Sequence, residues 1–176
     1  MKAMMKPLLA ALCLTVAGSA LAVQKDITVT ANVDASIDMT MADNSALPKA
    51  VEMQYIPGTG LQTYSVGMTK IWSNATASTA GDVHMRLVSP AQLVNTIGAA
   101  ADPVGLTIKW GDSEITTTDN DLKTAEIFPN GADAAKTGSV AKELTIAQTA
   151  QAPLETGTYQ GVVSIYLYQD AATAGE

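Results

Sequence analysis

From residue 23 the chain alternates apolar and polar positions without a break through VQKDITVTANVDASID, residues 23 to 38. Val23, Lys25, Ile27, Val29, Ala31, Val33, Ala35 and Ile37 fall on one face, apolar but for Lys25. Gln24, Asp26, Thr28, Thr30, Asn32, Asp34, Ser36 and Asp38 fall on the other, which is wholly polar. Side chains of an extended strand point to opposite faces in turn, so this period predicts a half-buried strand, whereas a helix would scatter both sets around its axis. No hairpin turn joins this strand to the next. It is therefore free to pair far away in sequence, or with another molecule.

The rest of the chain reads as short alternating runs separated by turn residues, the pattern of an all-β sandwich or barrel. Val51, Met53 and Tyr55 alternate before the turn IPGTG; Tyr64, Val66 and Met68 share a face in TYSVGMTKIW, where Gly67 marks a candidate bulge or close backbone approach. Val83, Met85 and Leu87 share a face in DVHMRLV, as do Val104, Leu106, Ile108 and Trp110 in VGLTIKW. The dipeptide Gly111-Asp112 then predicts a tight hairpin into SEITTT. Val140, Leu144 and Ile146 follow, and TYQGVVSIYLY at 158–168 reads as one closing strand. Helical signals are sparse: PAQLVNT at 90–96 has Pro90 suited to an early helical position, and LKTAEIF at 122–128 is ambiguous. GAAADP and NGADAAKTG read as surface loops.

What precedes the opening strand has the form of an export leader. Lys2 and Lys6 give a basic start, PLLAALCLTVAG is an apolar run too short and too early for a membrane anchor, and Ala20-Leu21-Ala22 fits the small-x-small cleavage rule. Cleavage is expected after Ala22, which leaves 154 of the 176 residues, one domain with chain enough for a real core. The same cut removes Cys13, the only cysteine, so packing and backbone pairing must hold the domain together without a disulfide. It also removes two lysines. The mature chain then carries 8 basic against 17 acidic residues, a net charge of −9, which repels phosphate backbones and argues against nucleic acid as a partner.

Candidate chemistry is thin. His84 is the sole histidine and lies on the strand face opposite Val83, Met85 and Leu87, where a solvated position is expected; a triad or a multi-histidine metal site is excluded by count. Asp112 with Glu114, and Asp119 with Asp121, are acid pairs near turns, where acids serve solubility as readily as acid–base work. TDNDLKTAE opens with calcium-loop spacing but puts Lys123 where the third ligand belongs and Thr124 where the glycine turn belongs. Asn74-Ala75-Thr76 matches a glycosylation acceptor, a short motif common by chance. Trp72 and Trp110 each close an alternating run, which points to core packing rather than sugar stacking. No catalytic, cofactor or metal site is expected.

The opening VQKDITVTANVDASIDM, then ADNSALPKAVEMQY, TYSV with IW, VGLTIKWG and the closing GTYQGVVSIYL together resemble the major pilins of the alpha-type (class five) chaperone-usher fimbriae, the colonization factor antigen and cable pilus family. The resemblance spans almost the whole mature chain. It implies an immunoglobulin-like β-sandwich lacking its last strand, completed in trans by the N-terminal extension of the next subunit, which adds a strand to an open sheet edge. Carried onto this sequence, residues 1–22 are the signal peptide, 23–35 the donor strand and 36–176 the sandwich domain. The donor contacts would be Val23, Ile27, Val29, Ala31, Val33 and Ala35. The acceptor groove, which also receives the chaperone, would be bordered by Ile37 and Met39 on the first strand and by Val163, Ile165 and Leu167 on the last, with Asp170 to Glu176 running past the usual end. Implied partners are identical subunits, a periplasmic chaperone, an outer-membrane usher, a tip adhesin and a host-cell receptor or mucin, at the surface of a Gram-negative cell.

Two rivals remain at this point: a self-contained secreted binding domain, adhesin or lectin-like, whose first strand completes its own sheet, and a secreted hydrolase working through an acid pair. The leader makes a prediction independent of all three. N-terminal sequencing of the exported protein is expected to begin at Val23; a start displaced by several residues would refute the cleavage site.

Overall fold

Alternation becomes sheet where distant runs can meet as partners. The computed structural model describes residues 37–75, 81–98, 101–131 and 134–170. In the larger sheet β1 (Ile37–Met41), β4 (Tyr64–Ser73), β10 (Lys142–Gln148), β7 (Val104–Trp110), β6 (Gln92–Gly98) and β11 (Gly157–Gln160) lie side by side in that order, all antiparallel. β8 (Ser113–Ile115) folds back on the second half of β7 through Gly111, whose φ of 61° suits the expected hairpin. In the smaller sheet β5 (Val83–Leu87) runs between β12 (Ile165–Gln169) and β9 (Asn120–Leu122). A short ribbon of β2 (Tyr55–Ile56) and β3 (Gly60–Leu61) and two helical turns, α1 (Thr124–Ile127) and α2 (Ala134–Thr137), complete the described chain.

Inward rows from the two sheets meet in one core. Ile71, Ile108, Trp110, Leu144 and Ile146 come from the larger sheet, and Val83, Met85, Leu87 and Leu122 from the smaller. The result is an all-β, immunoglobulin-like sandwich. Trp110 sits at its centre, fully buried, and its indole N–H donates to Thr69 Oγ1 at 2.9 Å. The Thr69 hydroxyl in turn donates to the Lys142 carbonyl at 3.1 Å. One buried hydroxyl thus satisfies the only polar group of the largest core side chain.

Several expectations are corrected by long-range pairing. The register between β10 and β4 shifts at Gly67, where φ is 115° and an added Cβ would stand 2.9 Å from Met41 Cε. This is the bulge that Gly67 suggests, but it also reverses the alternation beyond it: Thr69, Ile71 and Ser73 turn inward, and Met68, expected inside, is 48% exposed. Trp72 consequently lies on the outer face, half-buried, donating to Thr40 Oγ1 at 2.8 Å. PAQLVNT is not helical; residues 92–98 form β6, because β7 and β11 offer ladders on both sides that outweigh local preference. Val51 and Met53 belong to no strand, and the run becomes sheet only at Tyr55. NGADAAKTG, expected as a loop, contains α2.

The closing run also divides. β11 pairs with β6 in the larger sheet, β12 pairs with β5 in the smaller, and residues 161–164 cross between them. Gly161 sits so close to the Gln92 carbonyl that a side chain there would collide with it, so the chain leaves the larger sheet at a position only glycine fills.

The Trp110–Thr69 contact gives a stability test. Thr69→Val strands the indole N–H in the core and is expected to cost about 1–3 kcal/mol in urea unfolding, while Thr69→Ser, which keeps the acceptor, is expected to be much milder. Equal effects would show that packing, not the hydrogen bond, governs the position.

Candidate functional site

Two opposed sheets that share a core must be closed at their edges, and at one place the described chain leaves a cleft of about 900 Å³. Its floor is the inward row of the larger sheet: Val66 from β4, Leu93 from β6, Leu106 from β7, and Leu144 and Ile146 from β10. One wall is residues 47–53, a stretch outside any strand, from which Leu47 and Met53 pack against the core. The other wall is the crossing segment and the start of β12, with Val163 and Ile165 facing the cleft. Charges are confined to a few rim positions such as Lys49, Glu52 and Glu155. The apolar lining is only partly covered: Val162 beside it is 79% exposed and Val51 38%.

The strand that forms the second wall, β12, is an edge strand of the described sheet, paired to β5 on one side only. At its far end it reaches the larger sheet, where the Ser73 hydroxyl donates to Gln169 Oε1 and Gln169 Nε2 donates to the carbonyls of Ala75 and Gly81, both at 3.0 Å. Ser73 is the register partner of Ile37 in β1. The two edge strands therefore approach each other at the Gln169 end, and the apolar cleft opens beside the Ile165 end. An edge strand beside an exposed apolar floor is a template for another strand. The geometry can accept an extended peptide whose apolar side chains recur at every second residue. The described residues that line the cleft are mostly apolar, with Lys49, Glu52 and Glu155 as its charged members.

Of the groove residues expected from the sequence, Val163 and Ile165 line the cleft. Ile37 and Leu167 are half-buried and pack against the core, and Met39 is in the core at 8% exposure, opposite Ile71. The expected donor positions Val23, Ile27, Val29, Ala31, Val33 and Ala35, together with residues 1–22, lie outside the described residues, as does the third residue of the Asn74 motif. The floor residues Val66, Leu93, Leu106, Leu144 and Ile146 are not among the site residues expected from the sequence. Val66, Leu106, Leu144 and Ile146 are legible as inward members of their runs, Leu93 in the helical candidate PAQLVNT is not, and which inward residues stay uncovered depends on strand order, which alternation does not encode.

The remaining chemical candidates do not converge on the cleft. Asp112 and Glu114 are exposed in and beside the β7–β8 hairpin. Asp119, Asp121 and His84 lie on the outer face of the smaller sheet. His84, expected to be solvated, has a side chain only 13% exposed, because its cross-strand neighbours close over it.

Comparison with known proteins adds to this geometry. The family described as CS1 type fimbrial major subunit matches residues 23–168. The chain is 33% identical over 156 residues to a CFA/I fimbrial subunit of Escherichia coli, covering 86% of this chain and 88% of that protein. It is 30% identical over 154 residues to a CS1 fimbrial subunit of Escherichia coli, covering 83% and 85%. The solved CooA pilin subunit from enterotoxigenic Escherichia coli shares the fold, with a TM-score of 0.58 at 22% identity over 78% of this chain and 90% of that one.

Proposed function

The chain belongs to the family of CS1 type fimbrial major subunits, and from that premise we propose that it builds the shaft of a surface fimbria by exchanging donor strands between identical subunits. Residues 23–35 of the next subunit fill the apolar cleft of the one before it. The observation that carries this reading is complementarity: the cleft has an apolar floor and an edge strand beside it, and the segment at 23–35 has one apolar row and one polar row. Burying Ile27, Val29 and Val33 stabilises the joint by roughly 1.5–3 kcal/mol each before the ordering of the strand is counted. Ala31 and Ala35 add less. Backbone pairing along β12 adds directional hydrogen bonds.

The family match begins at Val23, which supports removal of residues 1–22 and a donor strand at the very start of the mature chain. Before assembly the cleft requires a temporary occupant, since an exposed apolar edge aggregates. A periplasmic chaperone fills that place, an outer-membrane usher exchanges it for the next subunit, and a tip adhesin and a host receptor or mucin lie at the ends of the pathway. The role of this chain is structural rather than enzymatic.

Substitution of the apolar row tests the mechanism. Val29→Asp or Val33→Asp places an unpaired charge in the cleft and is expected to cut assembly into heat-resistant oligomers by well over ~10-fold, since the penalty exceeds about 1.4 kcal/mol, while the chaperone-bound subunit stays folded. Thr28→Asp and Thr30→Asp, on the polar row, are expected to assemble nearly as wild type. Equal loss from both rows would reject donor-strand pairing by alternation.

A further inference from the structure

The outer face of the smaller sheet carries an ionic cluster that the cleft does not use. His84 on β5 stands directly across from Tyr168 on β12 and Asp121 on β9. Its Nδ1 lies 2.7 Å from Asp121 Oδ1 and its Nε2 lies 2.9 Å from Asp170 Oδ2. The ring stacks on Tyr168, with centroids 4.6 Å apart and planes 16° from parallel. Asp170 is the residue that follows β12, and its amide donates to the Asp82 carbonyl at 3.0 Å. The imidazole therefore ties β9 to the end of β12 across the intervening β5.

Neighbouring charges are engaged elsewhere. Arg86 Nε lies 3.3 Å from Asp119 Oδ1, and the Tyr168 hydroxyl donates to Asp119 Oδ2 at 3.1 Å. Lys123 Nζ lies 2.5 Å from Asp82 Oδ2, and the Thr124 amide donates to Asp82 Oδ1 at 3.3 Å. Asp121 and Asp170 each direct an oxygen at the imidazole, with Lys123 also within electrostatic reach of Asp121 and Asp82 within that of His84. Ionised carboxylates only accept hydrogen bonds, and a neutral imidazole has one N–H, so both contacts can be made at once only by the imidazolium. The hydrogen bond to Asp170 foremost, and that to Asp121, hold the His84 pKa above its ordinary value against the opposing effect of partial burial.

We propose that His84, gripped between Asp121 and Asp170, is a proton-operated clamp that fixes the C-terminal end of β12, the strand whose beginning walls the cleft. When the imidazole loses its proton, one carboxylate loses its hydrogen bond, and the attachment of Asp170 weakens at the point where β12 ends. Because the folded group holds its proton more tightly than the unfolded one, the clamp's contribution is complete below about pH 6.5 and is lost as pH rises through the raised folded value. Mildly acidic surroundings tighten the strand, and alkaline surroundings loosen it. The clamp itself does not depend on what fills the cleft; its effect on the fibre rests on the reading above.

His84 is the only histidine in the sequence, so its titration is read without ambiguity. The experiment follows imidazole C2 hydrogen exchange by mass spectrometry in intact fimbriae, amide exchange of residues 165–170, and the calorimetric transition, at about pH 5.5 and about pH 8, where ordinary carboxylates stay ionised. His84 is expected to titrate above about 6.5, and wild-type fimbriae to melt about 2–4 °C higher at the lower pH than a His84→Gln variant's own pH dependence accounts for. Identical pH dependence in the two, or titration of His84 at or below its ordinary value, overturns the clamp. Should His84→Gln fimbriae not form, Asp170→Asn decides: it is expected to lower the His84 titration point and speed exchange in 165–170, and no change in either overturns the proposal. If no fimbriae form even from the wild-type chain, the donor-strand reading fails, while the same titration and exchange on the purified protein still decide the clamp.

Discussion

Among the described residues the architecture turns on one interface, the apolar cleft between the beginning of β12 and the floor of the larger sheet. A sandwich is stable when each inward row faces another, and here Leu106, Leu144 and Ile146 are well buried while Val66, Leu93, Val163 and Ile165 remain only half-buried around open space. Exposed contiguous apolar surface of this kind marks an interaction site. Among the described residues the sandwich is close-packed in its centre, around Trp110 and Met85, and only partly covered along this cleft. The sequence has a single cysteine, Cys13, so no disulfide within the chain supports the sandwich.

The unequal sheets follow from the same arrangement. The larger sheet joins six strands in one antiparallel path with β8 on β7, whereas the smaller has only β5 with β12 on one side and the three-residue β9 on the other. β12 is the most consequential of these. It is reached only after the chain crosses over at Gly161, the crossing segment and its first residue bring Val163 and Ile165 to the cleft, and its far end is anchored by Gln169 and Asp170. Edge strands are usually blunted by charge or covered by chain. Here charge is concentrated on the outer face of β5 and β9, where Arg86, His84, Asp119 and Asp121 lie, and the cleft side is left apolar.

Much of this is legible in the sequence, and the failures have physical causes. Val83, Met85 and Leu87, and Leu106, Ile108 and Trp110, point inward as alternation requires, and the Gly111 hairpin forms where the dipeptide marks it. Gly67 is readable as a bulge, but simple alternation carried past it ignores the change of parity, which puts Met68 and Trp72 on the wrong face. Residues 92–96 carry weak local signals, and pairing with 104–105 on one side and 157–160 on the other makes them strand. The cleft itself is a property of strand order. Alternation identifies inward residues; it does not say which of them a neighbouring strand will cover. The resemblance to known pilins supplies an expectation of strand order; Val163 and Ile165 line the cleft, Ile37, Val163, Ile165 and Leu167 all pack against the core, and Met39 is buried in it.

Supplying the missing strand from outside measures the central claim most directly. Protein lacking residues 23–35 is mixed with a synthetic peptide of that sequence, and its melting temperature is followed against peptide concentration. A peptide that binds only the folded state must raise the melting temperature progressively, and a scrambled or one-residue-shifted peptide, which turns the polar row inward, must not. The account predicts a truncated protein of low stability that the matched peptide restores. A truncated protein that is as stable as the full-length chain and indifferent to the peptide would contradict it.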